Sequence, residues 1–199
     1  MIGIITTPNR VPSIPKNATV YVDKHFQGVS HARNELLKKF YDEGHEYICI
    51  CDDDLIYQRE DWLQIVIDVM KNSNTNVTCL PHTLDGVRAD LSYSLETWTS
   101  YIGAFYLMHR SVLESVGYFS NAFKGYGFED VHYKFRLESV YGQLTNPKIL
   151  PYLVSSMDVL NLNPTPSINN KAELIELNRP IFLEELNNGQ IYYPYTNNK

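Results

Sequence analysis

Two groups of carboxylates carry the chemistry of this chain. Asp52, Asp53 and Asp54 stand in a row directly after the apolar run EYICIC at 46–51. Three adjacent carboxylates repel one another unless a cation or solvent compensates them. Their oxygens suit a hard divalent ion such as Mg²⁺ or Mn²⁺, which takes one or two protein carboxylates and fills its other positions with water and substrate phosphates. The plain alternative is a solvated acidic turn ahead of a helix starting near Asp61. The second group, Glu129 and Asp130, ends the segment GYGFED at 125–130. It stands at a helix start, after a loop that two glycines make mobile. A carboxylate there can act as a general base; the plain alternative is an acidic first turn that complements the helix dipole.

The elements that must position these groups alternate along the chain. IGIITT at 2–7 reads as a strand and TVYVD at 19–23 as a second, with a proline-punctuated loop from Pro8 to Pro15 between them. Ser30 can cap a helix bearing Ala32, Leu36, Leu37, Phe40 and Tyr41 on one face, which Gly44 stops. The continuous apolar strand at 46–51 predicts burial on both faces, as in a parallel sheet, and it delivers the Asp triplet at its carboxyl end. A helix from about Asp61 to Asn72 follows, then strands at 76–80 and over YIGAFYLM, a short helix SVLESVG, and a helix from about Glu129 to Val140. A last helical pattern, 169–188, is expected to be interrupted at Pro180. Alternation of this kind implies an α/β layered domain, in which ligands bind beyond the carboxyl ends of the strands.

Composition bounds the partners. The chain has 199 residues, with 17 Lys and Arg against 23 Asp and Glu, a formal charge of −6, and 44% apolar residues. That is a globular composition without the basic clusters that nucleic acid or an anionic membrane surface requires. Cys49, Cys51 and Cys79 form no CxxC pair and read as buried thiols. With no signal peptide and no run of about 20 apolar residues, the expectation is a soluble, cytoplasmic protein; the sequons at Asn17 and Asn76 then read as coincidence.

Together these segments resemble the nucleotide-sugar glycosyltransferases of the GT-A fold, in particular family 2 and the related animal galactosyl- and N-acetylgalactosaminyltransferases. The matching pieces appear in the family's order: IGIITTPNR, VYVD, HARNELL, EYICICDDDL, and the long stretch YIGAFYLMHRSVLESVGYFSNAFKGYGFEDVHYKFRL that ends near Arg136. The resemblance implies a Rossmann-like, mixed and mostly parallel central sheet flanked by helices, in one compact domain over 1–199. Its motif-bearing core covers about 2–156, and a C-terminal helix and Tyr-rich tail cover 157–199.

Carried across residue by residue, the resemblance implies that Thr6, Asp23 and Arg33 face the base and ribose of a nucleotide sugar, with a UDP-sugar favoured. Asp52 and Asp54 become the outer members of the Asp-x-Asp motif. Asp54 binds Mn²⁺ or Mg²⁺ on the donor diphosphate, and Asp52 or Asp53 touches ribose or sugar hydroxyls. Gly103 and Ala104 lie beneath the donor sugar, and Tyr126 packs against the sugars. Asp130 deprotonates the hydroxyl of a glycan or other acceptor, which inverts the anomeric centre, while Glu129 holds a hydroxyl. The chain departs from the pattern in two places. Only Arg10 to Ala18 separate Asn9 from Thr19, where the family usually has a helix between the first two strands. No His follows His132 to complete the metal site, which leaves Asp158 as a substitute.

His132 itself is expected to point off its helix into solvent. Trp62 reads as core, whereas Trp98 can either pack or stack on an acceptor sugar. Tyr192, Tyr193 and Tyr195 either cover the site or pack the last helix. A phosphatase-type hydrolase is disfavoured by Leu55 after the acidic run, and a nucleotidyltransferase by the absence of a basic glycine-rich opening loop. A non-catalytic carbohydrate-binding module on the same fold stays as the alternative function.

Overall fold

The computed structural model describes residues 1–8, 10, 12, 14–57, 60–81, 101–142, 159–161 and 170–189. Strand β1 (Ile2–Thr6) is buried along its whole length, and β2 (Ala18–Val22) lies beside it at the sheet edge. Helix α1 (Val29–Asp42) returns the chain to β3 (Tyr47–Asp52), and a short strand β4 (Leu55–Tyr57) precedes helix α2 (Trp62–Ser73). Strands β5 (Val77–Pro81) and β6 (Tyr101–His109) follow, then helices α3 (Ser111–Ser115) and α4 (Glu129–Tyr141), strand β7 (Val159–Asn161) and helix α5 (Lys171–Asn187).

The main sheet has the order β2-β1-β3-β6-β5. It is mixed, as expected: β1 runs parallel to β2 and to β3, whereas β6 runs antiparallel to both β3 and β5. Its parallel character is therefore confined to the first three strands. Alternation along β3 explains why that strand is apolar throughout. Ile48 and Ile50 enter the cluster under α1 with Leu36, Leu37 and Phe40, while Cys49 and Cys51 enter the cluster under α2 with Trp62, Val66 and Met70. Both thiols are buried and free, and Cys79 is buried in the first cluster. Trp62 is core, stacked on Tyr57 with ring centroids 5.1 Å apart.

A two-stranded antiparallel ladder of β4 and β7 lies beyond the Asp triplet. Two expectations are corrected. Helix α5 runs unbroken from Lys171 to Asn187 with Pro180 inside it. The proline removes one backbone donor, but Asn178 and Phe182, both buried, anchor the helix on either side of it. Ser30 does not cap α1: it is buried within the helix, which begins after Gly28 at φ 106°. The chain entering the helix is held by other means: the Gln27 and Gly28 amides donate to the Asp23 carboxylate and the Val29 amide donates to the Gly125 carbonyl.

Candidate active site

The carboxyl ends of β1 and β3 carry one rim of the site. Asp53, almost fully buried, accepts a hydrogen bond from Thr6 Oγ1 at 2.5 Å and pairs with Arg10 Nη2 at 2.5 Å. The same Arg10 nitrogen lies 3.7 Å from Asp54. Burial raises the Asp53 carboxyl above its ordinary pKa, with Thr6 and Arg10 opposing the shift. Asp52 has its Oδ1 shielded from solvent and accepting no hydrogen bond. Burial first, then the neighbouring Asp54 and Asp130, push the Asp52 carboxyl up to about 7 against the opposing pull of Arg33. Asp23, at the end of β2, spends both carboxylate oxygens on the amides of Gln27 and Gly28, at 3.0 and 2.9 Å. It shapes the loop into α1 by this route.

Arg33 joins this rim to the second carboxylate group. It is 2% exposed, and its guanidinium donates to Asp130 Oδ1 at 2.7 Å and to the Gly103 carbonyl at 2.5 Å, with Asp52 Oδ1 3.6 Å away. Burial alone would lower its pKa; Asp130 and Asp52 outweigh that and raise it, so the charge is permanent. The side chain thus sits beneath the site, between the two acidic groups. Tyr106 Oη donates to the same Asp130 oxygen at 2.8 Å. Asp130 lies flat on the backbone of β6: a Cβ placed on Gly103 would fall 2.0 Å from both carboxylate oxygens. Ala104, beside it, is buried. Glu129 is buried as well, and its carboxyl is pushed up to about 7 by burial and by the charge of Asp130, against Arg33.

The glycine loop ahead of α4 is held from two sides. Gly28 and Gly125 form a bridge, and a Cβ on Gly28 would meet the Gly125 nitrogen at 2.7 Å. From the other side α5 packs onto the loop, with Asn178 hydrogen-bonded to its backbone. Tyr126 lies partly buried under the Lys171 ammonium, 4.2 Å from the ring centroid. His132 is the clearest correction on this side. It is fully buried, with Nε2 2.6 Å from Glu185 of α5 and its ring edge-on to Phe123. Burial lowers its pKa while Glu185 opposes. An α4 position that faces solvent in the absence of α5 is interior once α5 docks.

The sequence pieces between the carboxylates have structural jobs of their own. Asn34 clasps the Phe119 backbone, donating to its carbonyl at 2.8 Å and accepting from its amide at 2.9 Å. Arg136 donates to the carbonyls of Val116 and Tyr118, and Tyr133 Oη donates to the Gly117 carbonyl at 3.2 Å. These bonds fix α4 against the turn after α3 and so fix its first residues. The sequence reading missed Arg10, Tyr106 and Asn178; a lone Arg in a loop, a Tyr in a strand and an Asn in a helix carry no motif. Asp158, Trp98, Tyr192, Tyr193 and Tyr195 lie outside the described residues.

The five-stranded mixed sheet flanked by helices is the architecture of the GT-A glycosyltransferases. Residues 9–133 match the sequence profile of Glycosyl transferase family 2, and the chain belongs to that family. A mannosyltransferase from Pyrobaculum calidifontis, solved with GDP-Man and Mn²⁺, superposes with a TM-score of 0.51 at 13% identity, over 98% of this chain. The chain spans 65% of that enzyme's length. TarS of S. aureus, solved with UDP, gives 0.46 at 17% identity over 72% of this chain and 42% of its own. The catalytic domain of Drosophila beta1,4-galactosyltransferase 7, solved with xylobiose, gives 0.47 at 13% over 87% and 78%. No curated protein matches the chain. At these identities the mannosyltransferase speaks to the shared fold. Among the described residues no helix is long and apolar enough to cross a membrane.

Proposed function

We propose that this chain moves a sugar from a nucleoside-diphosphate sugar, a UDP-sugar by preference, to an acceptor hydroxyl, with Asp130 as general base and inversion at the anomeric carbon. The observation that carries the reading is the convergence on Arg33. One buried guanidinium gathers Asp52 from the strand-end triplet and Asp130 from α4, 78 residues apart (130 − 52), at the end of the sheet where such folds bind ligands.

The donor set fits a divalent cation in part. Asp52 and Asp54 offer hard oxygen donors, and Asp52 Oδ1, which meets Arg33 at 3.6 Å but accepts no hydrogen bond, is an atom that a cation would satisfy. Among the described residues no three His, Cys, Asp or Glu groups converge to hold a metal, so water and donor phosphate oxygens would have to complete the shell, unless Asp158 contributes. Such an ion supplies Lewis-acid stabilisation of the leaving diphosphate.

The chain's own residues do the rest. Thr6 and Arg10 fix Asp53 at the floor of the donor rim, and Asp23 fixes the loop beside it. An acceptor hydroxyl is a poor nucleophile, and Asp130 takes its proton as the glycosidic bond forms. Arg33 and Tyr106 hold that carboxylate in one orientation, and Glu129 holds an acceptor or donor hydroxyl. Gly103 and Ala104 leave room for Asp130 and the donor sugar against β6, and Tyr126 offers an aromatic wall. The test is a panel of UDP- and GDP-sugars with Mn²⁺, assayed for transfer and donor hydrolysis. Turnover should fall about 100-fold or more in Asp130→Asn and also be lost in Asp54→Ala. Turnover that survives both substitutions overturns the assignment, and nucleotide binding without turnover in the intact protein favours a binding module.

A further inference from the structure

Helix α5 lies outside every motif that defines the site, yet one of its side chains grips the glycine loop. Asn178, fully buried, accepts a hydrogen bond from the Lys124 amide at 2.9 Å and shares its two Nδ2 hydrogens among the carbonyls of Lys124, Tyr126 and Gly127 at 2.9, 3.0 and 3.1 Å. Four backbone groups of one short loop therefore converge on a single amide. Around it the fit is close. A Cβ on Gly125 would lie 2.9 Å from Leu174, and one on Gly127 would lie 2.9 Å from Ile175. Both glycines have positive φ, 65° and 106°, a conformation that side-chain-bearing residues rarely adopt. One residue beyond the gripped segment, Phe128 is itself at φ 70°, and Glu129 and Asp130 follow as the first turn of α4.

We propose that Asn178 is a positioning residue of the transfer reaction: it transmits the docking of α5 to the glycine loop and so sets where Glu129 and Asp130 stand relative to Arg33 and Gly103. The proposal rests on the glycosyl-transfer reading above. A buried Asn that only satisfied a loop would influence stability, and its loss would lower every activity in step with the folded fraction. A positioning residue acts on the chemical step, because a misplacement of about 1 Å at the reacting groups can cost about 100-fold in rate. The donor rim is built from β1, β2 and β3 and does not touch Asn178, so nucleotide binding should be spared.

The experiment compares the full chain with Asn178→Ala and Asn178→Gln, after the intact protein has been shown to transfer sugar from one donor of the UDP- and GDP-sugar panel with Mn²⁺. The expected result is a kcat lower by roughly tenfold or more in Asn178→Ala, unchanged affinity for UDP or GDP with Mn²⁺, faster amide exchange at Gly125 and Gly127, and partial recovery of kcat in Asn178→Gln. If Asn178→Ala does not fold, Leu174→Ala loosens the same contact from the helix surface and should show the same split. Full kcat in the folded variant, or kcat and nucleotide affinity falling together, overturns the proposal. Absence of transfer by the intact chain is a separate result, seen before any variant is made; it overturns the functional reading and the positioning role with it.

Discussion

The strand-end rim and the glycine loop carry the two acidic groups of the site and are built by different means. The rim is an extension of the sheet. Asp52 is the last residue of β3, paired to Ile5 of β1 in the parallel ladder, and Asp53 is bonded to Thr6 at the end of that same β1. The glycine loop has no ladder behind it. It rests on one bridge to Gly28, on the Asn178 amide and on the side chains of α5 that fill the space over Gly125 and Gly127. A carboxylate at a strand end inherits the rigidity of the core, whereas a carboxylate after a loop depends on each contact that holds the loop. Substitutions in the rim should therefore act on donor binding, and those around the loop on the chemical step.

Arg33 is the seam between the two regions, and breaking it should have the largest effect. Replacing it by Met leaves Asp130 and Asp52 facing a buried apolar side chain. The two carboxylates left behind are 28% and 34% exposed, so the loss should lie between the roughly 1 kcal/mol of an exposed pair and the roughly 3–5 kcal/mol of a fully buried one. Urea unfolding of Arg33→Met should show that loss, together with loss of both nucleotide binding and transfer. A change below about 1 kcal/mol, the range of an exposed pair, would mean that Arg33 does not hold the two regions together.

A finer cut separates the regions without removing a charge. The Gly103→Ala methyl would have to occupy the place of the Asp130 carboxylate, 2.0 Å from both its oxygens. Asp130 must swing away from Arg33 and Tyr106, so transfer should fall about 100-fold, the order of a lost general base. Nucleotide affinity at the rim should hold. Because both substitutions strike one function, Gly103→Ala combined with Asp130→Asn should be no worse than Asp130→Asn alone. Additive losses would show that Gly103 contributes something other than room for the Asp130 carboxylate.

The same contrast explains what was legible in the sequence. The rim could be read because a continuous apolar run ending in Asp52, Asp53 and Asp54 has one simple structural meaning, a buried strand with charges at its end. The start of α4 was legible too, since glycines followed by Glu129 and Asp130 mark a loop entering a helix. What holds these groups was not legible. Asn178 is 51 residues from Gly127 (178 − 127), and nothing local distinguishes it from any helical Asn. His132 reads as a surface position because the partner that buries it, Glu185 of α5, is equally remote. The role of Arg33 could be drawn only from its neighbours in HARNELL; that it reaches under the site to Asp130, 97 residues away, is a tertiary fact. Ser30 is no cap because the helix already begins after Gly28, at an entry held by Asp23 and by the distant Gly125.

The smallest of these effects tests whether the acidic pair on the loop side is as enclosed as its geometry requires. The Glu129 carboxyl stands at about 7 in the folded chain, against an ordinary 4.5, with burial the first cause and the Asp130 charge the second. In the unfolded chain the group ionises near its ordinary value, while the folded chain resists until about 7. The stability it contributes is therefore fully present below the ordinary pKa and is lost as pH rises through about 7. Glutamine cannot ionise, so Glu129→Gln should match the unsubstituted protein near the acid end of that window. Above it the variant should be the more stable, by on the order of 3 kcal/mol. Unfolding by urea at several pH values between the two carboxyl pKa values reads this directly. Asp130→Asn should recover part of the same difference, since it removes the second cause and leaves the burial. A Glu129→Gln profile parallel to that of the unsubstituted protein would place water against the Glu129 carboxyl, and the loop side of the site would then be open where the strand-end rim is closed.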